Sequence, residues 1–125
     1  MAQVTEAQVL ELVPEGTVHE NGAGQTFEVG ADGPRTFLMT LDIVRVIDQE
    51  SLDVSLWGSA DGQEWGAMPL LKIPQRFYPG HTRAVLDLSQ RPEVKHIQAR
   101  WEVNRWGRGR PVPVFRFRLA AQPVD

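Results

Sequence analysis

Cysteine is absent from the sequence, which removes disulfides, thiolate metal sites and thiol nucleophiles in one step. Long apolar runs are absent too. The opening stretch "MAQVTEAQVLELVPEG" lacks a basic start and carries Glu6, Glu11 and Glu15 among its apolar positions, so it reads neither as a signal peptide nor as a membrane span. Residence in a cytoplasm, with no membrane partner, is the expectation. Histidine is scarce, and His19, His81 and His96 have no ligand-like spacing, which argues against a metal site. There is no serine-centred nucleophile elbow and no Gly-Lys loop to cradle a phosphate, and "GADG" and "WGRGRP" are too short for a dinucleotide. The carboxylate pairs Asp48/Glu50 and Asp61/Glu64 fall in loops with no apolar pocket around them, a poor setting for acid–base work. No catalytic residue, cofactor or metal is expected, and the chain reads as a protein that acts by binding.

Basic residues are nearly missing from the first part of the chain. Residues 1–71 hold Arg35 and Arg45 against twelve carboxylates, a balance of −10; residues 72–125 hold eleven basic residues against four acidic, a balance of +7, and the two sum to the net charge of −3. Either strands from both parts interleave and cancel, or the surface is bipolar and suits head-to-tail contacts between subunits.

What the sequence does have is apolar residues at period two, the signature of strands. In "RTFLMTLDIVRVI", Phe37, Met39, Leu41 and Ile43 share one face. In "SLDVSLWG", Leu52, Val54 and Leu56 point inward, and Ser51, Asp53, Ser55 and Trp57 point outward. "VKHIQARWEVN" sets Ile97, Ala99, Trp101 and Val103 against His96, Gln98, Arg100, Glu102 and Asn104, which places Trp101 between sheets and His96 in solvent. "VFRFRLA" sets Phe115, Phe117 and Leu119 against Arg116 and Arg118. Weaker strands are expected at 26–29, 69–73 and 82–88. Asn21-Gly22, Asp32-Gly33-Pro34, Asp61-Gly62, Pro79-Gly80 and Arg91-Pro92 separate the runs with turn chemistry. The one helix candidate, "EAQVLELV", also reads as a strand. The 125 residues therefore predict one all-β domain over 1–125. Its architecture is an antiparallel two-sheet β-sandwich of seven or eight strands, jelly-roll-like or immunoglobulin-like, with 1–20 as an N-terminal arm or edge strand.

Two stretches stand out as surface. In "SLWGSADGQEWG", Asp61-Gly62 suits a tight hairpin, after which Trp65 is expected to close the mouth of the sandwich over the core. Trp57 shares its phase with polar residues, and an outward indole is a candidate contact. In "NRWGRGR", Arg105, Arg108 and Arg110 flank Trp106 in a glycine-loosened loop. Such a loop grips a carboxylate-rich protein surface or a nucleic-acid backbone with a stacked base. The acidic character of the whole chain, with an isoelectric point of about 5.6, favours the protein partner. Trp57, Arg105, Trp106, Arg108 and Arg110 form the expected binding surface.

The succession "NGAGQTFEVG", "FLMTLDIVRV", "SLDVSLWGSADGQEW", "VKHIQARWEVNRWG" and "PVFRFRLA" resembles a family of small β-sandwich subunits from the heads and tails of tailed-phage virions, over roughly residues 21–121. The loop 104–111 is longer and more basic than the glycine loop of that family. The "S.DG..W" hairpin also resembles discoidin-type carbohydrate-binding sandwiches. The first resemblance implies a non-enzymatic structural or decoration protein that assembles with itself or with neighbouring structural proteins. The second implies a glycan-binding module that uses Trp57 and the hairpin loops.

Overall fold

The period-two segments form strands. A computed structural model describes residues 2–3, 9–30, 32–47, 49–106 and 112–124. Among them the backbone forms ten strands and no helix: β1 (Ala2–Gln3), β2 (Leu10–Val18), β3 (Gly22–Ala23), β4 (Phe27–Glu28), β5 (Thr36–Val46), β6 (Glu50–Ser59), β7 (Leu71–Lys72), β8 (Gly80–Asp87), β9 (His96–Arg105) and β10 (Phe115–Pro123). The sequence expects seven or eight. The strands expected at 26–29 and 69–73 appear as the short β4 and β7, and the difference lies in the two-residue pieces β1 and β3, too short to carry a periodic signal. "EAQVLELV" ends in strand β2 and not in a helix, because Leu10, Leu12 and Val13 are buried against the other sheet; residues 6–8 lie outside the described residues.

The strands lie in two sheets. One has the order β1-β4-β9-β6-β7, with β3 also on β9; the other has the order β2-β10-β5-β8. All pairings are antiparallel except β1 with β4. The inward residues of both sheets share one core, with Phe37, Met39, Leu41, Leu52, Leu56, Ile97, Phe115 and Phe117 almost without solvent contact. Each such side chain contributes about 1.5–3 kcal/mol through burial. The phase read from the sequence holds in β5, β9 and β10. Gly58 faces inward in β6, where a Cβ would meet Leu70 Cδ1 at 2.6 Å.

Three inward–outward expectations are corrected. Trp101 keeps its inward phase but is half-buried: it packs edge-on against Phe117 at 5.7 Å, and its indole N–H donates to the Glu20 carbonyl. The ring lies at the margin because β3 covers it only with Gly22, where a Cβ would come within 2.5 Å of Cζ2. Ser51, assigned outward, is buried near the start of β6. His96, assigned to solvent, is half-buried, because the turn after β6 lies on it and Gly62 packs over its ring.

Pairing β2 with β10 and β5 with β10 also decides the charge question for this sheet. Arg116 pairs with Glu15 at 2.8 Å, and Arg118 chelates Glu11 and reaches Asp42 at 3.7 Å. Acidic strands from the first part of the chain flank a basic strand from the second, so the charges cancel by interleaving. The bound carboxylate of Glu11, first of all, raises the pKa of Arg118 above its ordinary value.

Candidate functional site

The outer face of the β9–β6 ladder is fixed by register. Asp53 opposes Glu102, Ser55 opposes Arg100 and Lys72, Trp57 opposes Gln98, and Ser59 opposes His96. Trp57 stands on this face, as its phase predicts. Its indole N–H donates to Ser55 Oγ at 2.9 Å, and the Arg100 guanidinium lies over the ring, 4.4 Å from its centroid. Arg100 is steadied in turn by Gln98 Oε1, which accepts from Nε.

Trp65 approaches the same cation, 5.7 Å from ring centroid to guanidinium carbon. It is half-buried on the outer face and lies outside the core, so the plug expected of it does not exist. The reason is the turn. Asp61-Gly62 does not make a two-residue hairpin. Ser59 Oγ accepts from the N–H of Asp61 and Gly62, and Asp61 Oδ1 accepts from those of Gln63 and Glu64. This side-chain-capped turn, with Gly62 at φ 78°, folds the chain back across the sheet and sets Trp65 over Arg100. The N–H groups of Glu64 and Gln63, with the Ser59 hydroxyl, hold the Asp61 pKa down at about 2.

Beside Trp57 runs a groove of about 450 Å³. Met68, Pro69 and Lys72 wall it on the β7 side, and Asp53, Ser55 and Glu102 line it along the sheet. Asp53 accepts a hydrogen bond from Gln75 Nε2. Among the described residues, none of Asp53, Glu102 and Lys72 has an ion-pair partner.

A second feature lies at the far end of the ladder. Arg105 opposes Glu50, seven rungs from the Trp57–Gln98 pair, or about 24 Å along the strand. The structure therefore does not bring Trp57 together with Arg105 and Trp106; Arg108 and Arg110 lie outside the described residues. Trp106 is 58% exposed and meets Phe77 edge-on at 6.2 Å, and Phe77 meets Tyr78, itself 76% exposed, at 6.3 Å. Arg105 is half-buried and reaches the Val112 carbonyl. Residue types alone did not single out Phe77 and Tyr78. The available signal was their adjacency before Pro79-Gly80, since neighbours in an extended chain point to opposite sides and one of two must face out.

Glu50, read from the sequence as a loop carboxylate, is the first residue of β6 and 1% exposed. Its two oxygens accept from the backbone N–H of Ile47 at 3.0 Å and of Val114 at 2.8 Å. It ties the β5–β6 turn to the chain entering β10, at the base of the loop that carries Trp106. Asp48 lies outside the described residues. The histidines are far apart in role: His19 Nδ1 meets the Pro113 carbonyl, His81 meets Asp42, and His96 lies under Gly62. Among the described residues, no three histidines or carboxylates lie together as a metal cage, and no helix is long and apolar enough to cross a membrane. Comparison with models of known protein families gives no match, and comparison with curated proteins finds no relative in sequence.

Proposed function

We propose that this chain is a non-enzymatic jelly-roll subunit that assembles with copies of itself, and that Phe77, Tyr78 and Trp106 form the docking surface. The observation that carries the reading is three solvent-exposed aromatic rings joined through Phe77, which meets both Tyr78 and Trp106. Exposed aromatic clusters of this kind are where interfaces concentrate their binding energy. The sequence "NRWGRGR" flanks Trp106 with arginines, whose forked guanidinium groups suit the carboxylates of a second copy.

The topology supports the fold part of the proposal. Counting β3 and β4 as one strand and leaving β1 aside, eight strands pair first with last, second with seventh, third with sixth and fourth with fifth: β2·β10, β4·β9, β5·β8 and β6·β7. That nested pairing is a long hairpin rolled into two sheets, the arrangement of jelly rolls, which recur in viral capsid and lectin domains. Together with the sequence resemblance over residues 21–121, it favours a head or tail accessory subunit of a phage-like particle; that step rests on analogy of fold.

Sedimentation velocity over a concentration series tests the reading. The wild-type chain is expected to associate, and the double variant Tyr78→Ser, Trp106→Ser to remain monomeric with an unchanged melting temperature. A wild-type chain that stays monomeric at high micromolar concentration, or a variant that associates equally well, overturns it.

A further inference from the structure

We infer that the groove beside Trp57 binds a neutral sugar, with a hexopyranose ring stacked against the apolar wall of Trp57, Met68 and Pro69 and its hydroxyls held by Asp53, Glu102 and Lys72. The site is separate from the aromatic rim proposed for assembly. Its volume, about 450 Å³, lies within the roughly 300–1,000 Å³ of small-ligand sites.

The chemistry of the lining selects the ligand. A hydrocarbon ligand would bury three charged groups that have no ionic partner among the described residues, and buried charges without partners are costly. An anion would meet Asp53 and Glu102, which stand directly opposite each other in the β6–β9 ladder. A cation would enter beside Lys72, with Arg100 already on the Trp57 ring. A neutral polyol fits all three. Its hydroxyls donate to the carboxylates and accept from the ammonium, and the C–H face of a pyranose lies against an indole and a proline.

Two further observations support the assignment. Like charges in direct cross-strand opposition destabilise a sheet, so the Asp53–Glu102 pair is a local cost that hydroxyl donors would relieve. The Trp57 ring is already held in place by Ser55 and Arg100, so little freedom is lost when a ligand stacks on it. Met68, 79% exposed at the groove edge, is an adaptable apolar side chain of the kind that closes over varied ligands.

The test uses the full chain, methyl glycosides of glucose, galactose and mannose, N-acetylglucosamine, and their linear trisaccharides. Glycine betaine and a short alkyl alcohol serve as controls. Saturation-transfer NMR and the indole N–H resonance of Trp57 report binding. At least one sugar is expected to bind with a dissociation constant on the order of 1 mM for a single ring and to shift the Trp57 indole. The variant Asp53→Asn, Glu102→Gln is expected to weaken that binding at least tenfold while melting no lower than wild type, which separates loss of the site from loss of the fold. Silence from every sugar, stronger perturbation by betaine or the alcohol, a sugar that shifts Trp106 in place of Trp57, or a double variant that binds undiminished would each overturn the inference.

Discussion

On the outer face of the β2-β10-β5-β8 sheet, Arg116 and Arg118 reach across to Glu15 and Glu11, whereas on the outer face of the other sheet Arg100 lies on Trp57 and Asp53 is set against Glu102. Both faces are built from period-two strands over one core. They differ in what their polar residues do. On the first, the charges of two sequence regions answer each other across β2, β10 and β5. On the second, carboxylates and an ammonium border an aromatic groove without ionic partners in the described chain. Paired charge and unpaired charge are thus divided between two faces of the same fold, and the division can be tested.

The comparison would break first if the two sheets were not one folding unit. Phe117 lies on β10 and meets Trp101 of β9 edge-on, so it joins the sheets directly. Phe117→Ala should cost about 3–5 kcal/mol in chemical denaturation, with both sheets unfolding in one transition. Trp101→Ala should cost about 3 kcal/mol, at the low end of the range because the ring is half-buried. Two separable transitions would show that the faces are independent.

Glu50 comes next. Replacing it with alanine leaves the N–H groups of Ile47 and Val114 without their carboxylate acceptor in a buried place. The expected loss is about 2–3 kcal/mol. Glu50→Gln keeps one acceptor oxygen and should lose roughly half as much. Hydrogen exchange would locate the effect: these two amides should lose protection in the alanine variant while those of β9 keep theirs.

Glu50 also marks where sequence reading ends. The strands of β5, β9 and β10 were legible because Phe37, Met39, Leu41 and Ile43, or Phe115, Phe117 and Leu119, repeat at the pleat, a local property. Glu50 within the polar stretch "DQES" looks like any loop acid. Its burial depends on Val114, 64 positions away, which no local pattern encodes. The same holds for Trp65. Asp61-Gly62 announced a turn correctly, but the direction in which the turn leaves the sheet is set by Ser59 and Asp61 capping successive N–H groups, so the ring arrived outside and not over the core. Trp57 was legible as an outward residue because its phase is local. The cation on it was not, because Arg100 comes from β9.

A smaller effect would sharpen the contrast between faces. Arg116→Gln and Arg118→Gln should each change stability by about 0–1 kcal/mol, since their ion pairs are partly exposed and water screens them, and neither should alter tryptophan fluorescence. Arg100→Gln should cost a similar amount, roughly 0.5–1 kcal/mol from lost cation–π contact. Unlike the other two, it frees Trp57 and Trp65 from a shared cation 4.4 and 5.7 Å away, and should change emission intensity. Equal fluorescence in all three variants would remove the distinction between the faces.

The smallest expected effect is the most local. Asp61 holds the turn that carries Trp65, and its pKa is lowered from 3.8 to about 2, chiefly by the N–H groups of Glu64 and Gln63. A carboxyl whose folded pKa is depressed stabilises the fold above its unfolded pKa and ceases to do so as the pH falls through the folded one. The contribution of Asp61 is therefore whole above pH 3.8, declines as the pH drops toward about 2, and is gone below. The carboxylate is fully exposed, so the consequence is loosening of the turn and not unfolding. In NMR, the amide resonances of Gln63 and Glu64 should titrate together with a midpoint near 2, below that of an ordinary aspartate. Asp61→Asn should abolish the titration and keep the turn, because the amide oxygen still accepts from both N–H groups. Asp61→Ala should remove both, and with them the hold of Trp65 on Arg100. A midpoint at the ordinary aspartate value would mean that the caps do not persist in solution, and that Trp65 is free of the face to which this turn assigns it.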